Sequence, residues 1–360
     1  MRIAVGFALV VAAMWVLSTK DSELAGFDHA LDTLRWWWIP PALAAELASF
    51  VAFAAMQWQL LAAGGLQAPW WALVKLAFGS QALANSLPMG NVVATVYGFR
   101  WFRRFGADNA LAVWAMAGTM VASVMTLTLI AVVGLGLATE QGSSLDLVPV
   151  LLGAFAVAVG VGALFVYQRP LSAVVAFCIR ASVALTGRPR GDTAAEISRV
   201  MANLTGVRLN GRQTGWVLWW GSLNWLFDCA CFAMMFKAIG VPIPWSGLLL
   251  AYGAGQLAAT LPITPGGLGV VEGSITLALV QFGGPVASTS YAVLLYRAIS
   301  FWLVLAVGWL FVGALALQVR RGRWPRVALE STVLAGASTD SETPAVAEND
   351  PIDTGGLAAS

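Results

Sequence analysis

Apolar runs of near-spanning length alternate along this chain with short stretches that hold most of its charge. A spanning helix needs about 20 mostly apolar residues. The candidates are Ile3–Leu17, Trp37–Leu61, Asn109–Ala138, Val148–Gln168, Gly215–Ile239 and Ser290–Leu317. Between them lie two further apolar segments that resemble each other. Trp71–Pro88 reads WALVKLAFGSQALANSLP, Trp245–Pro262 reads WSGLLLAYGAGQLAATLP, and 8 of the 18 positions match without a gap. Phe78/Tyr252 and Ser86/Thr260 are close swaps. Each copy follows a Pro-Trp step and runs into a Pro/Gly break, PMGN in one and PITPGG in the other. Chance likeness between Ala/Leu-rich helices explains the apolar matches, but not the shared Gly, Trp and Pro. Paired, interrupted apolar segments in the two halves of a chain point to a transporter's site.

The distribution of charge turns these segments into a topology. Lys and Arg mark cytoplasmic loops. They cluster at Arg100, Arg103 and Arg104, in the seven arginines from Arg169 to Arg212, and at Arg320, Arg321, Arg323 and Arg326. Lys20–Arg35, with four acids against two bases, and Thr139–Leu147, with Glu140 and Asp146, read as external. The clusters are all satisfied if Trp70–Phe99 and Pro244–Gly283 each enter and leave on one side. They are then re-entrant hairpins, turning near Pro88 and at Pro262–Gly267. The expected fold is all-α, with six full spans plus two re-entrant hairpins in an inverted repeat and both termini cytoplasmic. Backbone broken at membrane depth survives only inside protein or beside a water-filled cavity, so both breaks should face inward. A plain eight-helix reading, with Arg100, Arg103 and Arg104 outside, stays open, as does a cleaved signal peptide in the first 17 residues.

Composition agrees with membrane residence. Hydrophobic residues make up 59% of the chain and charged residues 11%, where a soluble domain carries roughly 25% charged. The expected domains are a transmembrane region over 1–317, in halves of about 1–138 and 148–317, with an Arg-rich loop over 169–213. A basic, then disordered acidic tail covers 318–360. Glu196–Arg208 has the spacing of an amphipathic helix on the cytoplasmic leaflet, or else is a plain basic loop. Cys178, Cys229 and Cys231 show no zinc or disulfide spacing and read as small packing residues. The chain shows no nucleotide-binding loop and no catalytic constellation. No cofactor or metal is expected, and an enzyme is the weakest reading.

Between Thr214 and Leu317 only Asp228, Lys237, Glu272 and Arg297 are charged. A charge at a helix centre costs about 2.5–3.5 kcal/mol on insertion scales, so each needs a partner or a role. Lys237 sits near a helix end and can snorkel. Asp228 follows Asn224 by one turn and suits either the pathway or a buried structural acid. Glu272 follows Pro265, Gly266, Gly267 and Gly269, and either pairs with Arg297 or binds a head group. The free N–H groups at the helix start after Gly266-Gly267 would suit phosphate. Gly269 and Gly273, four apart, would form a stripe for tight helix contact. Asn85, Ser86 and Asn91 at the first break, with Thr260 and Thr264 at the second, would face a polar path or merely satisfy helix ends.

Leu261–Gly273 (LPITPGGLGVVEG) and the downstream LLYRAISFW (Leu294–Trp302) resemble the lysylphosphatidylglycerol synthase transmembrane-region family, also described as flippase-like. The resemblance covers roughly residues 1–320. It implies a membrane domain that moves lipids or lipid-linked precursors between leaflets, and carries over Pro265, Gly266, Gly267, Gly269, Glu272 and Arg297. The soluble aminoacyl-transferase domain of the synthases has no counterpart in this sequence. The family often has an acid shortly after the first Pro-Gly break, where this chain has Asn91.

The sequence thus leads to a cell-membrane lipid translocase. Its substrates would be lipids with anionic or phosphate-bearing head groups. Glu272, Arg297, Gly266, Gly267, Thr264, Asn85, Ser86, Asn91 and Asp228 would form the substrate site, shaped by Pro88, Pro262, Pro265, Gly269 and Gly273. The alternative is a non-transporting accessory protein that assists a glycosyltransferase or another envelope-assembly enzyme.

Overall fold

The computed structural model describes residues 34–87, 90–140, 209–259 and 265–322, within one compact unit that ends at Trp324. The expected spans Ile3–Leu17 and Val148–Gln168, the amphipathic segment, most of the Arg-rich loop and the tail lie outside the described residues. Among the described residues every element is helical.

Helix boundaries follow local chemistry. After a short turn at Trp36–Trp38, α1 (Ile39–Ala63) starts with Pro40 and Pro41 in its first turn. Proline is tolerated there because those N–H groups have no partner within the helix. It stops at Gly64-Gly65, where Gly65 takes φ +83°. Helix α2 (Trp70–Ser86) follows Pro69 and stops just short of Pro88, and α3 (Gly90–Arg104) ends before Gly106. Asp108 Oδ1 accepts from Leu111 N–H at 2.6 Å and caps α4 (Asn109–Glu140). Asn210 and Gln213 form a reciprocal capping box at the start of α5 (Gly211–Ala238). Next come α6 (Trp245–Ala259), a 3-10 turn at Pro265–Gly267, and α7 (Val270–Gln281). Finally α8 (Val286–Arg297) runs through a π-helical stretch at Ala298–Leu303 into α9 (Val304–Arg320). Among the described residues, three stretches are long and apolar enough to cross a membrane: Trp36–Ala63, Asn109–Gly134 and Val286–Arg320. Helix α5, at 28 residues, has the length but is less apolar.

The packing pattern is duplicated. Helices α1 and α5 pack together along their lengths; α2 packs on α9, and α6 packs on α4. So the first arm of each broken segment lies against the last helix of the other half. Corresponding residues make corresponding contacts. Gly79, with Val312 3.1 Å from where its Cβ would stand, and Gly253, with Ala131 at 3.0 Å, are the same position in the two copies. Phe78 stacks on Phe50 at 3.9 Å between ring centres, and its counterpart Tyr252 meets Trp225 at 6.4 Å.

Each broken segment also folds back on itself. Helix α2 packs on α3 and α6 on α7. Leu66, just before α2, lies 3.5 Å from where a Cβ on Gly106, just after α3, would stand. Gly247 at the start of α6 abuts the ring of Phe282 at the end of α7. The arms have 17 and 15 residues in the first case and 15 and 12 in the second. At 1.5 Å per residue they measure about 18–26 Å, less than the roughly 30 Å of a bilayer core.

Candidate functional site

The second break is built by glycines that no other residue replaces. Pro265 opens the 3-10 turn, and Gly266, Gly267 and Gly269 take φ of +61°, +70° and +82°, the left-handed region that favours glycine. At Gly266 there is no room either: a Cβ there would collide with the ring of Phe301 and lie 3.3 Å from the Cα of Asn85. Asn85 is the penultimate residue of α2, so the end of the first arm sits directly against the second break.

A second tie holds the same place. Ser86 Oγ donates to Ala82 O at 2.5 Å and accepts from Trp309 Nε1 at 2.9 Å. Asn85 is buried and its Oδ1 accepts from Gln81 Nε2 at 3.1 Å. The end of α2 and the second break therefore belong to one junction through Asn85, Gly266, Phe301 and Trp309. Asn91 itself lies exposed at the start of α3, where its carbonyl accepts from Thr95 Oγ1 at 2.7 Å. Thr260, Thr264, Pro88 and Pro262 lie outside the described residues.

Glu272 and Arg297 meet here. Arg297 Nε donates to Glu272 Oε1 at 2.7 Å, and its Nη2 donates to Gly266 O at 2.9 Å. Both side chains are largely buried, 12% and 18% exposed for Arg297 and Glu272. The guanidinium also lies 4.6 Å over the Phe301 ring, a favourable place for a cation. Glu272 Oε2 accepts from Gly269 N–H at 2.6 Å. The N–H groups expected to await a phosphate are thus met in part by the protein's own carboxylate. The Glu272 carboxylate occupies the place where an anion would bind, near the positive end of α7.

Gly269 and Gly273 correct another expectation. A Cβ at either position would meet nothing within 4 Å, so they form no stripe for close helix contact. Gly269 is needed for its backbone angle, and Gly273 sits in open space.

Asp228 is placed one step away from the break. Its Oδ2 accepts from Tyr252 Oη at 2.6 Å and from Gln256 Nε2 at 3.3 Å. Its Oδ1 accepts from Tyr296 Oη at 2.8 Å, and Gln256 also donates to that hydroxyl at 3.2 Å. Tyr296 and Arg297 are consecutive on α8, one facing Asp228 and the other the Gly266 turn. Asn224, one turn before Asp228 on α5, accepts from Ser49 Oγ at 3.1 Å.

The sequence reading passed over Glu46, on α1. It is 6% exposed and lies beside Asp228 and Cys231. One signal pointed to it: an acid in the middle of an apolar span carries the same cost in the first half as in the second.

Residues 3–308 match the family described as Lysylphosphatidylglycerol synthase TM region. The chain belongs to that family. Within this member of the Lysylphosphatidylglycerol synthase TM region family, the matched stretch includes both breaks, Glu46, Asp228, Glu272 and Arg297. The chain is also similar to a "UPF0104 membrane protein" of Methanothermobacter thermautotrophicus, 33% identical over 97 residues. That match covers 27% of this chain and 29% of the relative's length. This chain is a membrane protein, multi-pass by its family and its apolar helices.

Proposed function

We propose that this protein moves a lipid or lipid-linked precursor between the leaflets of the cell membrane, passing the head group between two re-entrant hairpins. The observation that carries this reading is the contact of the two broken arms, Gly266 on Asn85, with an ion pair beside it. Irregular backbone at membrane depth is kept inside protein or beside a water-filled cavity, and paired broken segments of this kind form the substrate sites of transporters. In this reading α2–α3 and α6–α7 dip in from opposite faces, six full spans surround them, and both termini are cytoplasmic. The short arms and their adjoining ends support it.

The ion pair supplies the recognition chemistry. A phosphate-bearing head group displaces Glu272 from Arg297 and from the start of α7, so that one anion replaces another. Arg297 already uses Nε and Nη2 and keeps Nη1 outside both bonds. The acyl or prenyl tails stay in the bilayer, and the halves rock about the α1–α5 contact to open the junction to each side in turn. The protein carries out no covalent chemistry in this reading.

Purified protein in liposomes with a labelled anionic phospholipid tests it. Lipid should cross faster than in empty liposomes, and Arg297→Ala and Glu272→Gln should each slow it at least tenfold. Crossing that is unchanged by both variants sinks the site.

One observation favours a second reading. The junction is closed, with Phe301 filling the space beside Gly266, as expected of an accessory protein that binds an envelope-synthesis enzyme and moves nothing. Recovery of a stable enzyme partner, with no lipid movement in vesicles, would favour that reading.

A further inference from the structure

Glu46 and Asp228 are two carboxyl groups from different halves of the chain, side by side in the protein interior. Their surroundings do not treat them alike. Asp228 accepts from three donors, Tyr252, Tyr296 and Gln256, which is the environment of an ionised carboxylate. Glu46 is 6% exposed, and its Oε2 is buried with no hydrogen-bond partner. A carboxylate left in that position would forfeit its hydration for nothing. A carboxylic acid there turns its O–H toward Asp228 and removes the conflict. Two adjacent carboxyl groups that cannot both ionise hold one proton between them.

The duplication shows that this polar set is not a requirement of packing. Phe50 and Trp225 fix the correspondence of α1 with α5, and Phe78 and Tyr252 that of α2 with α6. By that correspondence Phe53 stands where Asp228 does, Phe78 where Tyr252 does, and Ala82 where Gln256 does. Phe78 and Ala82 are buried. At these three positions one half carries apolar groups where the other carries an acid and two of its donors.

Among the described residues, few other groups face the pair. Helix α5 adds Cys229 and Cys231, both buried, with Cys231 beside Glu46. Helix α6 adds Tyr252 and Gln256; α8 adds Tyr296, and Arg297, whose charge reaches Asp228. Helix α7 contributes Glu272, already bound to Arg297. Helix α4 brings no acid or base before Glu140. Lys237 and Arg212 sit at the two ends of α5 and Arg35 ahead of α1. With one proton the pair carries a single negative charge; loss of the proton to water doubles it, and a second proton cancels it. Tyr296 and Arg297, adjacent on one helix, connect that charge to the Gly266 turn.

We propose that Glu46 and Asp228 form a proton-binding site whose loading and unloading is linked to movement of the lipid head group. The proton site stands on its own; the link to lipid movement rests on the translocase reading above.

Two measurements on the full chain, purified into liposomes, test it. Infrared spectroscopy should show a protonated carboxyl C=O band at neutral pH that disappears in Glu46→Gln. Tyr252→Phe, which keeps both acids and removes one donor from Asp228, should shift that band. A wild-type protein without such a band, or with one that neither variant alters, overturns the site. In the second measurement, a pH difference of one unit should bias the direction of lipid movement by up to about tenfold for one coupled proton. Glu46→Gln and Asp228→Asn should each abolish that bias. Lipid movement that ignores the pH difference, or follows a sodium gradient instead, overturns the link and leaves the translocase reading intact. Failure of the wild type to move lipid while the band is present overturns the link and the translocase reading together, and leaves the proton site.

Discussion

Ser49 and Asn224 join α1 to α5: the Ser49 hydroxyl donates to Asn224 Oδ1 at 3.1 Å, and both residues are buried. They lie 175 residues apart, the same separation as Phe50 from Trp225, so they occupy one position in two copies. The bond therefore joins corresponding positions of α1 and α5. Interhelical hydrogen bonds in membranes contribute about 0.6 kcal/mol on average and at most about 1.7. Ser49→Ala and Asn224→Ala should each destabilise the protein by about that amount, and the double variant should cost less than the sum. Unfolding in a mixed-micelle titration measures all three.

The Glu272–Arg297 pair should depend on the shape of the guanidinium as well as its charge. Arg297 makes two directed bonds, to Glu272 and to Gly266 O, and an ammonium does not reproduce that fork. Arg297→Ala should cost about 3 kcal/mol, because a largely buried carboxylate is left without its counter-ion. Arg297→Lys should recover less than half of the loss, as read from thermal stability in detergent.

Gly266 and Gly273 should respond oppositely to alanine. At Gly266 the left-handed backbone costs about 1–2 kcal/mol, and overpacking against Phe301 adds about 1–3 kcal/mol. Phe301→Leu should relieve the second part only. Gly273, inside α7 with open space around it, should gain about 0.5–1 kcal/mol as alanine. Melting temperatures of Gly266→Ala, Gly266→Ala with Phe301→Leu, and Gly273→Ala separate these effects.

The ends of each hairpin should label from one side of the membrane. Cysteines placed at Gln67 and Asn109 flank α2–α3, and cysteines at Pro242 and Gln281 flank α6–α7. In a background without the native cysteines, an impermeant thiol reagent should reach the first pair from the cytoplasmic face and the second pair from the other face. Any pair that divides between the faces rules out a re-entrant path for that hairpin.

Much of this arrangement was legible in the residue order because it rests on local signals. The Pro/Gly breaks end helices wherever they occur, and the Trp, Gly and Pro matches between Trp71–Pro88 and Trp245–Pro262 reveal the duplication without any tertiary information. Glu272 and Arg297 were found as a pair because a charge in an apolar stretch demands a partner and few were available. Glu46 escaped because its partner lies on the other half of the chain, and no periodicity within α1 announces a contact that only α1–α5 packing creates. The swap of Phe78 for Tyr252 was visible, but read as likeness; its added hydroxyl is the part that Asp228 uses. The self-capping of Gly269 by Glu272 was missed for a different reason. A carboxylate three residues into a helix can bond its own backbone, an outside cation or both, and here it does both.

The consecutive placement of Tyr296 and Arg297 has a mechanical corollary. They sit on one turn of α8, immediately before the π-helical stretch at Ala298–Leu303. Successive residues on a helix point about 100° apart, so any twist of α8 swings both side chains at once. A twist of α8 therefore carries a ligand of the acid cluster and a ligand of the glycine turn together.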